Sequence, residues 1–500
     1  MPYFPLTGYA PDAEPSTPGI VADVDLMVPT LNGLKALPSD SDVGVGTAVS
    51  AIRSAKTLSS LADVKTVYGG SRDNLFTQTG TGWNEVSAVT DSYSMPATAR
   101  WVFDAFNLPG NERVLAAAPG QSMQFKSGST FVELTNGPRA SYIAVTAGFL
   151  MTANFDAATT IGTSSTVYIA APNRWYCCGI NSTTNWDTSI ATQATTGLLL
   201  DSPGPITGLH KFGSNFVIYK ERSMYMGQYV GIPQVWRWHL LPGEGLGCSA
   251  HHAVVDIETA HIFPGFDNFY IFDGSRPTPI ATNRVAEFFL SDLNHEHKSQ
   301  MVGHHDRFNW LVYWFYPSIN SADGVLDKFL CYNYRSDRWG GGTKTVEFIF
   351  EWITSGVTYD GLGSLYSTYA DLPTASYDEA FAPAGTFKTG VIGTNNHLTT
   401  LEGPASSSSM RTWDIGVDDK PMVLSRARPR FKKAPTAGTQ THIYQDVQGG
   451  DETTGNASTT LSNGSFDHVF SARWHALKHE YTGDMEVVGL DLEMMEDGEE

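Results

Sequence analysis

The sequence predicts an all-β fold: a β-propeller-like ring of small antiparallel sheets, with an extended N-terminal arm and a C-terminal β-sheet domain. Three observations predict it. The residue types suit strands and turns, a strand–turn–strand unit recurs about every 50 residues, and the composition changes near residue 406. The 500 residues are 41% hydrophobic and 17% charged, enough apolar material for a large buried core. They include 48 Gly and 26 Pro for turns, with 12 Trp, 21 Tyr and 26 Phe for pleated, half-buried surfaces.

Residues 1–44 form the arm. Seven prolines lie in the first 40 positions and few apolar residues recur with a fixed period, so the segment reads as extended chain laid over a surface. Residues 45–405 form the propeller-like domain of six or seven blades. Its hairpin units begin at Thr66 (TVYGGSRDNLFTQTG), Glu112, Thr166, Asn215 (NFVIYKERSMYMG), Asn268 (NFYIFDGSRPTPI), Lys328 (KFLCYNYRSDRWGG) and Thr389. Such a period fits sheets that bury their faces only against their neighbours. Turns are expected at Lys220 to Arg222 and at Asp273-Gly274. One helix is expected from Arg284 to Asn294 behind an Asn283 N-cap, because Val285, Phe288, Phe289 and Leu293 share a face. The serine run Ser406 to Ser409 reads as a linker, and residues 406–500 as a C-terminal β domain with an acidic tail.

Composition also excludes several functions. A net charge of −20 disfavours tight nonspecific nucleic-acid binding, which needs a basic excess. The start, MPYFPLTGYAPDAEPSTPG, lacks the basic and apolar regions of a secretory signal. The longest apolar stretch, Tyr142 to Phe155, is too short and too polar to span a membrane as a helix. Cys177, Cys178, Cys248 and Cys331 have no CxxC spacing, which fits small buried hydrophobes in a chain made in a reducing cytoplasm.

Catalytic and cofactor motifs are missing, so neither a cofactor nor a metal is expected and the chain is read as a non-enzyme. Gly44-Val45-Gly46 and Gly243 to Gly247 lack nucleotide-binding spacing. The pairs His251-His252, His295/His297 and His304-His305 lack a third ligand at matching spacing and read as surface or interface histidines. The aspartate box of propeller glycosidases starts at Ser71-Arg72-Asp73-Asn74 and fails at Leu75, which stands where that box has Gly. Two features are candidates for interaction. Arg426, Arg428, Arg430 and Lys432 alternate, so on a strand they share one face, suited to an acidic partner, to passing DNA, or to ion pairs with the acidic end at Glu493, Glu496, Asp497, Glu499 and Glu500. The glycine-containing segments Gly340 to Lys344 (Gly340, Gly341, Gly342) and Gly361 to Ser364 (Gly361, Gly363) read as loops able to close a channel.

The N-terminal stretch APDAEPSTPGIVADVDLMVPTLNGLKALPS carries Pro11-Asp12, Pro18-Gly19, Asp23/Asp25 and Pro29-Thr30 with Gly33. It resembles the signature of short-tailed bacteriophage tail nozzle proteins, also called tail hub, tubular tail protein B or packaged-DNA stabilisation proteins. The central stretch from Gly197 to Val255 and the end FDHVFSARWHALKHEYTGDMEVVGLDLEMMEDGE are similar to that family's middle and closing strands. The resemblance implies a structural virion protein made in the host bacterial cytoplasm and placed at the distal end of the phage tail. It further implies a homo-oligomeric ring, a hexamer, that docks on tail adaptor proteins and carries fibres or spikes. Its gated channel would retain double-stranded DNA and pass it at ejection without tight binding. Other readings are a propeller-fold glycan-binding or glycan-degrading tail protein, or another phage neck or baseplate component.

Overall fold

A computed structural model describes residues 2–79, 82–88, 93–163, 166–243, 245–353, 387–459 and 464–497. Strand makes up 54% of the described residues and helix 3%, in a six-blade β-propeller arrangement with a C-terminal sheet domain. Among the described residues no helix is long and apolar enough to cross a membrane.

The blades are four-stranded antiparallel meanders. The first runs Ser54–Ser59, Lys65–Gly70, Leu75–Thr79, Gly82–Glu85. The second runs Val102–Leu108, Asn111–Ala117, Gln124–Ser127, Thr130–Glu133. The third runs Ala140–Thr146, Phe149–Phe155, Ala171–Cys177, Thr195–Leu198. The fourth runs Ile206–Phe212, Asn215–Lys220, Met224–Gly231, Val235–Leu240. The fifth runs Val255–Asp256, His261–Pro264, Phe269–Phe272, Thr278–Pro279. The sixth joins Phe348–Ile353, Phe387–Ile392 and Leu398–Gly403 with Ser39–Asp42. Turn chemistry explains the meanders. Ser71 Oγ accepts from the Asn74 amide at 2.9 Å, and Asp273 Oδ1 accepts from the Ser275 amide at 3.0 Å, so each side chain closes its own turn.

The chain divides into two compact units. In the unit of Asp42–Val254 and Glu347–Thr400, the first four blades bury their faces against one another in sequence. Tyr68 and Leu75 of the first blade pack with Phe103 and Phe131 of the second. Phe106 and Leu115 pack with Ile143 and Phe155 of the third, and Met151 and Trp175 with Ile218, Tyr225 and Trp236 of the fourth. Cys177, Cys178 and Cys248 lie buried and free in these layers, as Cys331 does in the other unit.

The unit of Met1–Ser41, Val255–Val346 and Leu401–Glu500 holds two large sheets. One is ordered Val302–Asp306, Leu311–Tyr316, Leu326–Asn333, Arg338–Val346, Met27–Pro29, Leu34–Ala36, Glu486–Glu496, Met422–Lys433, Phe466–Ala472, with Tyr3–Pro5 paired to Glu486–Glu496. The other is ordered Gly8–Tyr9, Ile20–Asp25, Ser407–Thr412, Trp474–Thr482, Ala437–Gln445, Thr453–Thr459.

Two sequence boundaries move as a result. The hairpin at Lys328 is no blade: Leu311–Tyr316 is buried along its whole length, which suits the interior of a wide sheet. The serine run is no linker: Ser407–Thr412 is a strand whose inward Ser408, Met410 and Thr412 alternate with more exposed neighbours. The 1–44 segment is extended as expected, and the surface it lies on belongs to the same chain, because its strands pair with the last hundred residues.

Small residues make that pairing fit. A side-chain carbon on Gly33 would collide with the Val487 carbonyl, and one on Gly489 with Tyr3 and Phe4. The helix is Ala286–Asp292, shorter than expected, and its N-terminus is capped from the arm. Asp12 accepts from the Glu287 and Phe288 amides at 2.7 and 2.8 Å, in place of the expected Asn283, whose φ is 55°.

Gly33→Ala forces the first 40 residues off the Glu486–Glu496 strand. It should cost ~2 kcal/mol or more, read as a lower urea midpoint with an unchanged slope. An unchanged midpoint would show that the arm is not seated there.

Candidate functional site

The alternating basic row lies on Met422–Lys433, and the neighbouring strand answers it with an acidic row. Arg426 Nε donates to Asp467 at 2.7 Å, with Glu493 at 3.9 Å. Arg430 pairs with the buried Asp491, Lys432 with Glu486 at 3.3 Å, and Lys433 with Asp484 at 2.9 Å. Arg428 stands opposite Asp491 in register. Lys420 meets Glu496 at 2.8 Å, and Ser471 donates to Asp497, so the acidic end is tied into the sheet by the chain's final strand, Glu486–Glu496, and the residue after it. Glu499 and Glu500 lie outside the described residues. The row is therefore matched within one chain by cross-strand charges, which support register more than they attract a polyanion.

Gly340, Gly341 and Gly342 are strand and not loop: in Arg338–Val346 the first two are buried and Gly342 is half-buried. Gly341 pairs with Met27, and a side chain on Gly340 or Gly342 would strike the backbone between Leu26 and Val28. The run of three glycines is the seat of the N-terminal segment, fixed by the Thr343 amide donating to Asp25 at 2.7 Å and by Lys344 pairing with Asp40 at 2.7 Å. Gly361 and Gly363 lie outside the described residues.

Histidines expected at the surface are divided. His295 is exposed and His297 half-buried, each with its Nε2 hydrogen-bonded to a backbone carbonyl at 3.1 Å. His304 is buried and His305 half-buried, and desolvation pushes their pKa values down to about 3 and about 4. His251 sits among the first strands of the blades, stacked between Tyr142 and His210 with ring centroids at 4.9 and 4.3 Å. Its carbonyl accepts from His210 Nε2 at 3.0 Å, and His252 packs edge-on against Phe348. Burial holds both His251 and His252 well below the usual imidazole range.

The same first strands carry a chain of polar ties in this unit. Lys56 donates to the Phe103 carbonyl at 2.8 Å and lies 3.5 Å from Asp104. Asp104 accepts from the Val145 amide at 2.7 Å, and Thr57 donates to the Glu351 carbonyl at 2.6 Å. Arg100, buried with its pKa lowered to about 10 by desolvation, donates to the Glu347 carbonyl at 3.1 Å. These groups are used on backbone atoms of adjoining blades. They tie sheets together.

Four further histidines carry no motif in the sequence: His442, His468, His475 and His479, all buried, on the strands Ala437–Gln445, Phe466–Ala472 and Trp474–Thr482. Their signal was alternation, with His475 and His479 at inward positions of one strand and His442 inward on the strand beside it. No group of three or more His, Cys, Asp or Glu among the described residues is arranged to hold a metal ion. A separate groove of about 680 Å³ runs beside the first two blades, lined by Thr66, Tyr68, Thr77, Asn84, Lys126 and Ser129 among others.

No family model matches the chain, and no curated protein matches it. Among solved structures it is similar to the extracellular domain of a putative hybrid two-component system from B. thetaiotaomicron, at 7% identity and a TM-score of 0.41. That alignment covers 85% of this chain and 46% of the other, so the chain spans under half the length of that structure.

Two outcomes follow from the matched rows. Filter binding at physiological salt should give double-stranded DNA affinity no tighter than about 1 μM, and neutralising Arg426, Arg428, Arg430 and Lys432 together should hardly change it. Submicromolar, salt-sensitive binding lost on neutralisation would restore a nucleic-acid role. Arg430→Leu strands the buried Asp491 carboxylate and should cost about 2 kcal/mol in urea unfolding, whereas Arg428→Gln should cost under about 0.5 kcal/mol.

Proposed function

We propose that the chain is a structural, non-catalytic subunit of a virion: the distal tail nozzle of a short-tailed bacteriophage. In this reading it assembles as a ring, docks on tail adaptor proteins, carries fibres or spikes, and encloses a gated channel for DNA retention and ejection. One observation carries the reading. The residues behind the N-terminal resemblance do architectural work: Asp12 caps the helix, Gly19 accepts from the Thr7 amide at 2.7 Å, Asp25 holds Thr343, and Thr30 accepts from the Gly33 amide at 3.0 Å. A signature spent on backbone atoms suits a family selected for assembly. The matched charge rows and the net charge of −20 agree with a conduit that DNA passes without sticking.

A second reading, a glycan-binding tail protein, is favoured by the groove beside Tyr68, whose hydroxyl and amide lining suits a sugar.

Mass spectrometry of purified phage particles should find the chain at a fixed ratio to the portal protein. Its absence from particles would overturn the nozzle reading, and release of reducing sugar from host capsule or lipopolysaccharide by the isolated chain would transfer the assignment to the glycan class.

A further inference from the structure

The strands Ala437–Gln445 and Trp474–Thr482 pair so that Gln440 faces His479, His442 faces Leu477 and Tyr444 faces His475. Against this face lies Phe466–Ala472 with Phe466, His468 and Phe470, and the Tyr444 and Phe470 rings approach to 4.1 Å. The polar atoms inside this layer form two short chains. His475 Nε2 lies 2.9 Å from the Met422 carbonyl and 3.1 Å from that of Ala472. Both carbonyls only accept, so the proton is on Nε2 and Nδ1 is a lone pair. His442 Nε2 sits 2.8 Å from that Nδ1 and must donate to it. In the second chain, His468 Nε2 donates to Gln440 Oε1 at 2.5 Å, and Gln440 Nε2 donates to the His479 ring at 3.1 Å. Hydrogen-bond direction therefore fixes His475 as a neutral imidazole and requires an accepting nitrogen on His479, while His442 and His468 serve as donors.

A proton added to the first chain meets two costs. On His475 Nδ1 it would set donor against donor across 2.8 Å, and a charge on His442 would lie 5.0 Å from the His475 ring and 5.5 Å from that of His468. Compensating charge is scarce on every packed element. Asp467 is the nearest carboxylate and is held by Arg426. On Trp474–Thr482, Lys478 and Glu480 pair with each other at 2.9 Å on the opposite face. Asp414 accepts from Gln445 and lies beside Arg411, which is paired with Glu452. On Met422–Lys433 and Glu486–Glu496 the charges pair in their own rows, and Thr453–Thr459 contains no titratable side chain. Tyr444 and Tyr481 flank the layer as rings stacked on His442 and His479.

One strand depends on this layer more than the rest. Phe466–Ala472 is the edge of its sheet, paired along one side with Met422–Ala427 and with no second partner among the described strands. Phe466 and Ala472 anchor its two ends, at 1% and 4% exposed, but between them Val469 is 83% exposed and Phe470 37%, so His468 is the one buried side chain in its middle. We propose that the four-histidine layer is a proton-operated latch on this edge strand, closed while the imidazoles are neutral and released when they take up protons.

The sign follows from burial. Desolvation lowers all four pKa values from 6.5, to about 3 for His442 and His479. The released state takes up protons at the ordinary imidazole value, so the latch is fully closed above about pH 6.5 and weakens as pH falls toward the folded values. Each histidine raises the opening constant by up to about tenfold per pH unit in that window.

Hydrogen exchange of the full chain at pH 7.5 and 5.5, with exchange times scaled for the slower intrinsic chemistry at low pH, tests the latch. Peptides covering Ala437–Gln445 and Phe466–Thr482 should lose at least about 100-fold protection. Peptides from the first two blades, Leu75–Thr79 and Val102–Leu108, should keep theirs. His442→Gln combined with His468→Gln retains an N–H donor at each position and should cut the loss by at least about tenfold. Equal protection of the latch peptides at both pH values, or loss in all sheets together, overturns the proposal even without the variants. A loss of the same size in the double variant also overturns it.

Discussion

Close backbone approach at glycine is the constraint on which the sheet unit depends. The N-terminal segment fills the gap between Arg338–Val346 and Glu486–Glu496, and it reaches both only because Gly33, Gly340, Gly342 and Gly489 leave no side chain in the way. Without the inserted strands Met27–Pro29 and Leu34–Ala36, two sheet edges would stand open, each a row of unpaired amides and carbonyls. Ordering an extended segment costs roughly 1 to 2 kcal/mol per residue, and here the same chain supplies the offsetting surface. Met27, Val28 and Leu34 are completely buried as a result.

Burial in the blades works differently. The first four small sheets are stabilised face to face by their neighbours, through aromatic layers such as Tyr68 with Phe103 and Phe131 or Phe149 with Trp236. Polar groups at the first strands, among them Lys56, Asp104 and Thr57, then satisfy backbone atoms of the adjoining sheet. Charge is handled locally in both units, so the strongly acidic composition coexists with a basic row that is already paired.

The sequence made some of this legible. Period-two patterning and turn residues marked most of the blade hairpins, because each is local: NFVIYKERSMYMG contains both strands and its turn within 13 residues. The hairpin at Lys328 obeys the same local rules and was assigned to a blade. Of its two partner strands, Leu311–Tyr316 is local but Met27–Pro29 lies over 300 positions away, and no local pattern encodes such a pairing. The glycine run at Gly340 misled for the same reason, since a residue kept small for close approach looks like a loop until the approaching strand is known. At the basic row both readings were visible, and the acidic strand that decides between them lies some 60 residues downstream. The histidine layer went unnoticed because four isolated histidines on three strands become a network only when the sheets are stacked.

The central claim is that the first 40 residues are structural members of the sheet unit. Native-state hydrogen exchange at neutral pH measures it most directly. The amides of Leu37, bonded to the Leu26 carbonyl at 2.8 Å, and of Ala36, bonded to Met485 at 3.2 Å, should open with the same free energy as those of Glu486–Glu496. Exchange of residues 20–37 within seconds, while Glu486–Glu496 stays protected, would contradict the account and return the segment to a detachable arm.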